Sequence, residues 1–336
     1  MVFGVLCGSL LVALLMPSQA RGDIPPSGVV VPRLPAPLVL PDLVHPRTDL
    51  TVAWTTGRGV ADAAARTNTA LALLRLQFEA SVFRRTIYGG ITYDYAGALP
   101  PDGGRSLDDT PPGVAAIGKR GAFGNVEPHV RAVFPLSEGL VYGFALGAVI
   151  PTATIDRNGP AQSAMLAVAS MEPTDYVHFQ TGRFALRPAG DLRIVRGPFV
   201  LQLRQGFDVV IDQAGINDAR MAGRILGHVG VAPTRAFEVS IEATQVYFFF
   251  TEEPAPAPDS SLPLPVKEEI ERRNAARERY RVSDDRRTAF TIGPSLRLSF
   301  REVDLGLGLV TNVFAPLSPA LDSFVAARAS LVAHFR

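Results

Sequence analysis

The C-terminal stretch AARASLVAHFR, residues 326–336, repeats its character every two residues. Small or apolar side chains stand at Ala327, Ala329, Leu331, Ala333 and Phe335. Polar side chains lie between them at Arg328, Ser330 and His334. Because successive side chains of a β-strand point to opposite faces, this pattern predicts a closing strand with one apolar face and one polar face.

The same repeat of two recurs along most of the chain and predicts about twelve strands. Most of them are longer than the ~5–6 residues usual for globular strands. They match the ~9–11 residues that cross a bilayer at a tilt. The predicted strands are Leu50–Thr55, Leu71–Val82, Thr86–Tyr95, Asn125–Phe134, Leu140–Ile150, Phe184–Val195, Phe199–Ile211, Met221–Val231, Phe237–Phe249, Thr288–Phe300, Val303–Val313 and Val325–Phe335.

The connections between these strands alternate in length. Short turns are predicted at 135–139, 196–198, 232–235 and 301–303. Longer loops are predicted at 56–70, 96–124, 151–183, 212–220, 251–287 and 314–324. An even number of strands places both ends of the chain on the short-turn side, and this alternation is typical of outer-membrane barrels.

Charged side chains recur on the polar faces of the predicted strands. A soluble sheet would bury its apolar face on a core, but the sequence offers no helical layer to cover these strands. A closed antiparallel barrel with its apolar face outward places the apolar face of every strand against lipid, and it leaves no open edge. The charges then line the lumen, and the predicted lining is Arg75, Glu79, Glu127, Arg131, Arg187, Asp191, Arg193, Arg204, Asp208, Glu238, Glu242, Arg297 and Asp304.

Aromatic residues cluster near the predicted strand ends, as interfacial girdles require, because such rings favour the level of the lipid headgroups. The anchors expected at the short-turn ends are Phe134, Phe199, Phe237, Phe300 and Phe335. Those expected near the long-loop ends are Tyr93, Tyr95 and Tyr247.

The N-terminus divides into two segments ahead of the barrel, which we place at residues 49–336. Residues 1–20 have a short apolar stretch followed by a small-x-small site, which predicts a signal peptide, with a buried helix as the alternative. The single cysteine, Cys7, lies in this segment. Residues 21–48 are rich in proline and predict an extended periplasmic segment, interpreted mainly as a flexible lead and alternatively as a tether or a plug inside the barrel.

With its alternating strands, unequal connections and final LVAHF, the chain resembles Gram-negative outer-membrane β-barrel proteins over about residues 50–336. The resemblance implies export and an outer-membrane location, in contact with membrane lipid and lipopolysaccharide. It also implies that the barrel assembly machinery reads the last strand, in which Arg336 follows Phe335. A soluble periplasmic β protein remains the alternative to a membrane barrel.

The lumen charges leave three functions open. Charged rings tune pores, which favours a passive pore for a small solute. Charges in an enclosed lumen must also be paired, so a structural or surface-interaction barrel filled with salt bridges is the alternative. A lipid-modifying enzyme is a minor third possibility, since no GxSxG motif or convincing Ser-His pairing occurs. We expect no catalytic residue, metal or cofactor.

Other features of the sequence bear on which partners the protein could bind. Lys and Arg number 33 against 32 Asp and Glu, a net charge of +1 that gives no reason to expect nucleic acid. His129 and His228 are predicted to face the lumen as polar fillers. A short charged helix is predicted within 265–287, where Arg272, Arg273, Arg277, Arg279 and Arg281 could contact lipopolysaccharide, and a second helix within 164–179 that closes the mouth of the barrel.

Overall fold

The structure is a computed structural model that describes residues 34, 37, 38, 40, 48–62, 67–83, 86–99, 120–153, 160–212, 215–249, 257–278, 286–317 and 321–335. The predicted signal peptide and the arginines Arg279 and Arg281 lie outside these residues. The side chains of Arg272, Arg273 and Arg277 do so as well.

The described residues form thirteen strands, and all their pairings are antiparallel. They are β1 (Thr48–Asp62), β2 (Thr67–Phe83), β3 (Ile87–Leu99), β4 (Arg120–Phe123), β5 (Glu127–Ser137), β6 (Leu140–Val149), β7 (Arg183–Arg196), β8 (Phe199–Asp212), β9 (Gly215–Thr234), β10 (Phe237–Phe248), β11 (Thr288–Ser299), β12 (Val303–Asn312) and β13 (Ser323–Phe335).

The sheet closes on itself into a barrel. β1 pairs with β2 on one side and with β13 on the other, where Thr48 lies opposite Phe335. β4 and β5 both pair with β3 and follow one another along one position of the wall, so the barrel is twelve-stranded. The predicted all-β closed antiparallel barrel is therefore confirmed.

The two ends of the barrel differ in how they join the strands. One end, which we call the lower end, carries both chain ends of the barrel and connections as short as the two residues between β5 and β6 or between β7 and β8. Gly139 and Gly197 lie in these two connections with φ of 82° and 59°, a left-handed conformation that glycine adopts without a steric penalty. The inner segment described below enters the barrel from the opposite, upper end.

Several strands are longer than predicted. β1 runs to Asp62 and β2 begins at Thr67, so most of the loop predicted at 56–70 is strand. β9 begins at Gly215, within the loop predicted at 212–220. Glycine, alanine and threonine dominate these stretches, and such side chains leave little hydrophobic alternation to detect. The strand predicted at 125–134 instead begins at Glu127, and the short strand β4 precedes it within the loop predicted at 96–124, because Gly124 and Asn125 between them bond to other parts of the chain.

Large apolar side chains cover the outside of the barrel. On β8, Leu201 and Leu203 are exposed while Gln202 is buried inside, and on β10 Val239 and Ile241 are exposed while Ser240 is buried. The same alternation extends around the wall. Among the described helices, none combines the length and apolar character needed to span a bilayer.

The predicted aromatic anchors face outward. Phe134, Phe199, Phe300 and Phe335 are exposed, the last three next to or at the lower ends of strands. Tyr93 and Tyr95 also face outward, but they lie in the middle of β3 and not at its end, since that strand continues to Leu99. Both rings contact Phe123, with centroids 5.3 and 5.0 Å away. Phe237 and Tyr247 lie at or near the two ends of β10.

Three helices occur in the described connections. α1 (Pro160–Ala169) and a 3₁₀ helix (Pro173–Phe179) lie between β6 and β7, and α2 (Leu264–Glu278) lies between β10 and β11. The position of α2 confirms the helix predicted within 265–287. The helix predicted within 164–179 also exists, but the prediction of a lid over the mouth was wrong: every residue from Val168 to Phe179 is buried within the barrel.

Candidate functional site

The lumen is filled in its upper half by the chain between β6 and β7. We call residues 160–181 the inner segment. Met165, Val168 and Phe179 of this segment are completely buried. They belong to an apolar cluster with inward-facing residues of the wall, including Leu71 of β2 and Phe324 of β13. The upper part of the lumen is therefore an apolar core, which the predicted set of lumen charges did not foresee.

Below this core, His178 lies between two carboxylates of the wall. Its Nδ1 is 2.5 Å from Asp94 of β3, and its Nε2 is 2.7 Å from Glu127 of β5. Arg187 of β7 also approaches the ring, with Nη1 3.2 Å from Nε2. A protonated His178 donates to both carboxylates, so it holds the inner segment to two strands at once.

Arg187 extends this network to the neighbouring strands β8 and β9. It donates to Glu127, to Asp208 of β8 at 3.0 Å, and to the carbonyl oxygen of Thr174 at 2.5 Å. Asp208 in turn pairs with Arg224 of β9 at 2.7 Å. One buried guanidinium thus joins three strands and the inner segment, as its planar set of donors allows.

Two further ion pairs hold the inner segment from the other side. Arg75 of β2 pairs with Asp175 at 2.8 Å and with Asp94 at 2.9 Å. Arg328 of β13 pairs with Glu172 at 2.5 Å, and Thr55 of β1 donates to the same carboxylate at 3.1 Å. The segment therefore has ionic contacts with β2, β3, β5, β7 and β13.

Asn125 explains the interruption between β4 and β5. Its side-chain amide donates to the carbonyl oxygens of Val177 at 3.1 Å and Gln180 at 2.7 Å, and its Oδ1 accepts from the backbone of Ala153 at 2.9 Å. Its backbone N–H donates to the backbone carbonyl oxygen of His178. Strand pairing is therefore interrupted between β4 and β5, where Asn125 bonds to the inner segment instead.

The lower part of the lumen carries four smaller polar groups. Glu79 pairs with Arg131 and lies 3.1 Å from His129. Arg204 pairs with Asp191 at 2.6 Å. Arg297 pairs with Glu242 and with Glu238 at 3.1 Å, and His228 lies 2.5 Å from Glu238. His334 contacts Asp49 at 2.6 Å and Asp304 at 3.0 Å. Opposite charges meet in each group, as enclosed charges require.

All thirteen residues of the predicted lining face the inside, and the networks above contain twelve of them. The thirteenth, Arg193, is also buried on the inner face. The predicted lining did not include the further inward-facing charges Asp49, Asp94, Glu172, Asp175, Arg224 and Arg328, although Arg328 had been placed on the polar face of the closing strand. For Asp94, Arg224 and Arg328 the alternation of their strands was a usable signal, whereas Glu172 and Asp175 lie outside any strand.

Among the described residues, no cluster of histidine and carboxylate side chains is arranged to bind a metal ion.

A polar cavity of about 130 Å³ remains beneath the inner segment. Asp175 and His178 line it from above, and Arg131 and Arg204 line it from the wall. The N-terminal residues Pro37, Leu38 and Leu40 also line it, so part of the proline-rich segment lies inside the barrel.

The charge of His178 gives the inner segment a pH dependence. Burial alone would lower the pKa of this histidine, but Asp94 and Glu127 outweigh that effect and raise the pKa to about 9. A pKa raised above its unfolded value means that the stabilisation is complete below about pH 6.5 and is lost as the pH rises through about 9. Arg187 and Asp175 remain charged throughout this range.

We therefore expect the inner segment to loosen between pH 7 and pH 10. The measurement is hydrogen exchange of the amides of residues 170–181 in detergent, corrected for the intrinsic pH dependence of exchange. Since one pKa unit corresponds to ~1.4 kcal/mol, protection should fall about tenfold or more across this range. In His178→Gln, protection should be lower from the start and flat with pH; a pH dependence equal to that of the parent would assign the titration to another group.

Solved structures share this architecture. The crystal structure of the COG4313 outer membrane channel from Pseudomonas putida F1 matches with a TM-score of 0.52 and 10% identity, over 92% of this chain and 98% of that one. The chain has the fold of the outer-membrane β-barrel proteins. At this identity the likeness concerns the fold alone.

Two other outer-membrane barrels match more weakly. The KdgM porin has a TM-score of 0.38 at 8% identity, over 86% of this chain and 99% of that one. LpxR from Salmonella typhimurium has a TM-score of 0.41 at 11% identity, over 85% and 100%. No protein-family model and no curated protein matches the sequence. The details of this outer-membrane-type barrel therefore rest on its own geometry.

Proposed function

We propose that this protein is an outer-membrane channel for small hydrophilic solutes, held closed at rest by its own inner segment. The apolar outer wall supports insertion into a bilayer, and the similar fold of a known outer-membrane channel is compatible with this role. The observation that carries the proposal is the polar cavity beneath an inner segment that the wall holds by side-chain contacts.

The filling of the lumen favours a movable closure over a permanent core. The inner segment is one continuous stretch joined to β6 and β7, so it can leave the lumen without breaking any pairing between strands of the barrel. Its lower surface is held by buried ion pairs around a cavity, and water that enters the lumen when the segment leaves would solvate the separated charges. Both signs of charge line the cavity, so we expect weak ion selectivity.

A structural barrel with a permanently filled lumen is the second candidate. The pairing of nearly every described lumen charge favours it, because a solute path would require free ligands. The two candidates differ in one measurable property. Once the chain segments inside the lumen are removed, a channel conducts, whereas in a structural barrel the wall side chains still close the lumen.

We expect a variant without lumen segments to conduct ions in planar bilayers. In this variant a short glycine-serine linker replaces residues 160–181, and residues 21–46, which precede β1 at Thr48, are deleted after the predicted signal peptide. Heat-modifiable migration on a gel first establishes that the barrel has folded. The parent protein should stay closed most of the time. A folded variant that never conducts would refute the channel and favour the structural barrel.

A further inference from the structure

The N-terminal residues cross the lumen below the inner segment. We call the described residues Leu34, Pro37, Leu38 and Leu40 the N-terminal strap. Leu34 and Leu40 are buried, and Leu34 packs with Val200 of β8 and Ala232 of β9. The backbone N–H of Leu38 donates to Glu242 of β10 at 3.3 Å. Since Leu38 packs on β12, the strap extends from one side of the barrel toward the other.

Two inward-facing glycines of β12 accommodate the side chain of Leu38. A Cβ added at Gly306 would lie 2.6 Å from Leu38 Cδ2, and one added at Gly308 would lie 2.9 Å from Leu38 Cδ1. Real Cβ atoms do not approach neighbouring atoms so closely, so any larger residue at these positions would displace Leu38. The absence of two side chains thus creates a notch that fits one isobutyl group.

We propose that the notch of Gly306 and Gly308 is the docking site of the N-terminal strap, and that the docked strap is a second closure in series with the inner segment. This inference rests on the proposed channel function. The cavity of about 130 Å³ is then a chamber between two closures, since Leu38 and Leu40 line it together with Asp175 and His178.

The two closures are held by different polar contacts, and both also contact β10, where Tyr176 of the inner segment packs against Phe248. The ion pairs of the inner segment run to β2, β3, β5, β7 and β13. The strap contacts β8, β9, β10 and β12. A solute would pass the two closures one after the other.

The first experiment measures whether the strap is docked. Leu40 is buried, so a Leu40→Cys variant made with Cys7→Ser should react slowly with a membrane-impermeant maleimide. Adding Gly306→Ala should raise the reaction rate about tenfold or more. The matched control is Gly227→Ala, where the added methyl group meets nothing within 4 Å and the rate should not change.

A double variant tests whether Leu38 is the group that the new methyl displaces. A Cβ at Gly306 would also approach Ser330 Oγ at 2.6 Å, so the single substitution has two explanations. Leu38→Ala removes the clashing atoms of the strap alone. We expect Gly306→Ala to raise the labelling rate much less when Leu38→Ala is present, a strong coupling between the two changes. Independent, additive effects would overturn the docking site.

The second experiment measures conductance and separates this inference from the channel function. We expect Gly306→Ala alone and the linker replacement of residues 160–181 alone to stay closed, and their combination to conduct. If the linker variant alone conducts as well as the combination, the strap is no closure and the inference fails while the channel stands. The inference also fails if Gly306→Ala alone opens the barrel, or if the combination stays closed although the variant lacking both segments conducts. If that last variant is folded and closed, the channel function itself fails.

Discussion

Replacing Ile241 by arginine is expected to prevent stable insertion of the barrel into a bilayer. Ile241 is 56% exposed on the outer face of β10, between Ser240 and Glu242, which face the lumen. An arginine on the lipid-facing side of a barrel costs ~2–4 kcal/mol near the bilayer midplane. Adding Leu203→Arg on β8 should deepen the loss. The measurement is the folded fraction after refolding into lipid vesicles, read from heat-modifiable migration on a gel.

The matched control is Leu264→Arg. Leu264 is 68% exposed on α2, which is not part of the barrel wall, so the same chemical change should leave the folded fraction unaltered. If Ile241→Arg refolds in vesicles as completely as the parent, the outer apolar face does not contact hydrocarbon. The soluble periplasmic β protein would then replace the membrane barrel.

The barrel itself was predictable because a repeat of two is a local property of the sequence. β8 shows why: the exposed Leu201 and Leu203 and the buried Gln202 and Asp208 alternate in the structure as they alternate in the chain. β1 shows the limit. Gly57 would bring a Cβ within 2.5 Å of Ala326 Cβ, so the close approach of β13 requires a glycine that interrupts the hydrophobic pattern. The strand was therefore predicted to end too early.

The site was less predictable because alternation assigns a face and not a partner. Arg75 was placed on the lumen face by its own strand, and the alternation of β3 could have placed Asp94 there, but Asp175 and His178 reach them only because the inner segment folds into the barrel. Nothing in the spacing of residues 160–181 distinguishes a segment that enters the lumen from one that covers its mouth. The apolar upper lumen follows from the same cause, since the inner segment supplies a core that no strand pattern reveals.

Replacing Arg297 by methionine is expected to lower the free energy of unfolding by ~3–5 kcal/mol, the usual cost of removing one partner from a buried ion pair. Arg297 is completely buried and contacts both Glu238 and Glu242, which are themselves buried. Without it, two carboxylates share an enclosed site in which His228 contacts both and Ser295 donates to Glu242. Urea unfolding in lipid vesicles can be followed by fluorescence of Trp54, the single tryptophan, which is exposed on the outer wall.

Neutralising the two carboxylates that Arg297→Met leaves without a cation should restore most of the lost free energy of unfolding. In Arg297→Met with Glu238→Gln and Glu242→Gln, no carboxylate of the group is left without a cation, so the stability should return to within about 1–2 kcal/mol of the parent. Arg235→Met, in the exposed turn between β9 and β10, controls for the chemical change and should shift stability by less than ~0.5 kcal/mol. If the triple variant is no more stable than Arg297→Met, the cost comes from lost packing of the long arginine side chain, and the carboxylates are not what Arg297 stabilises.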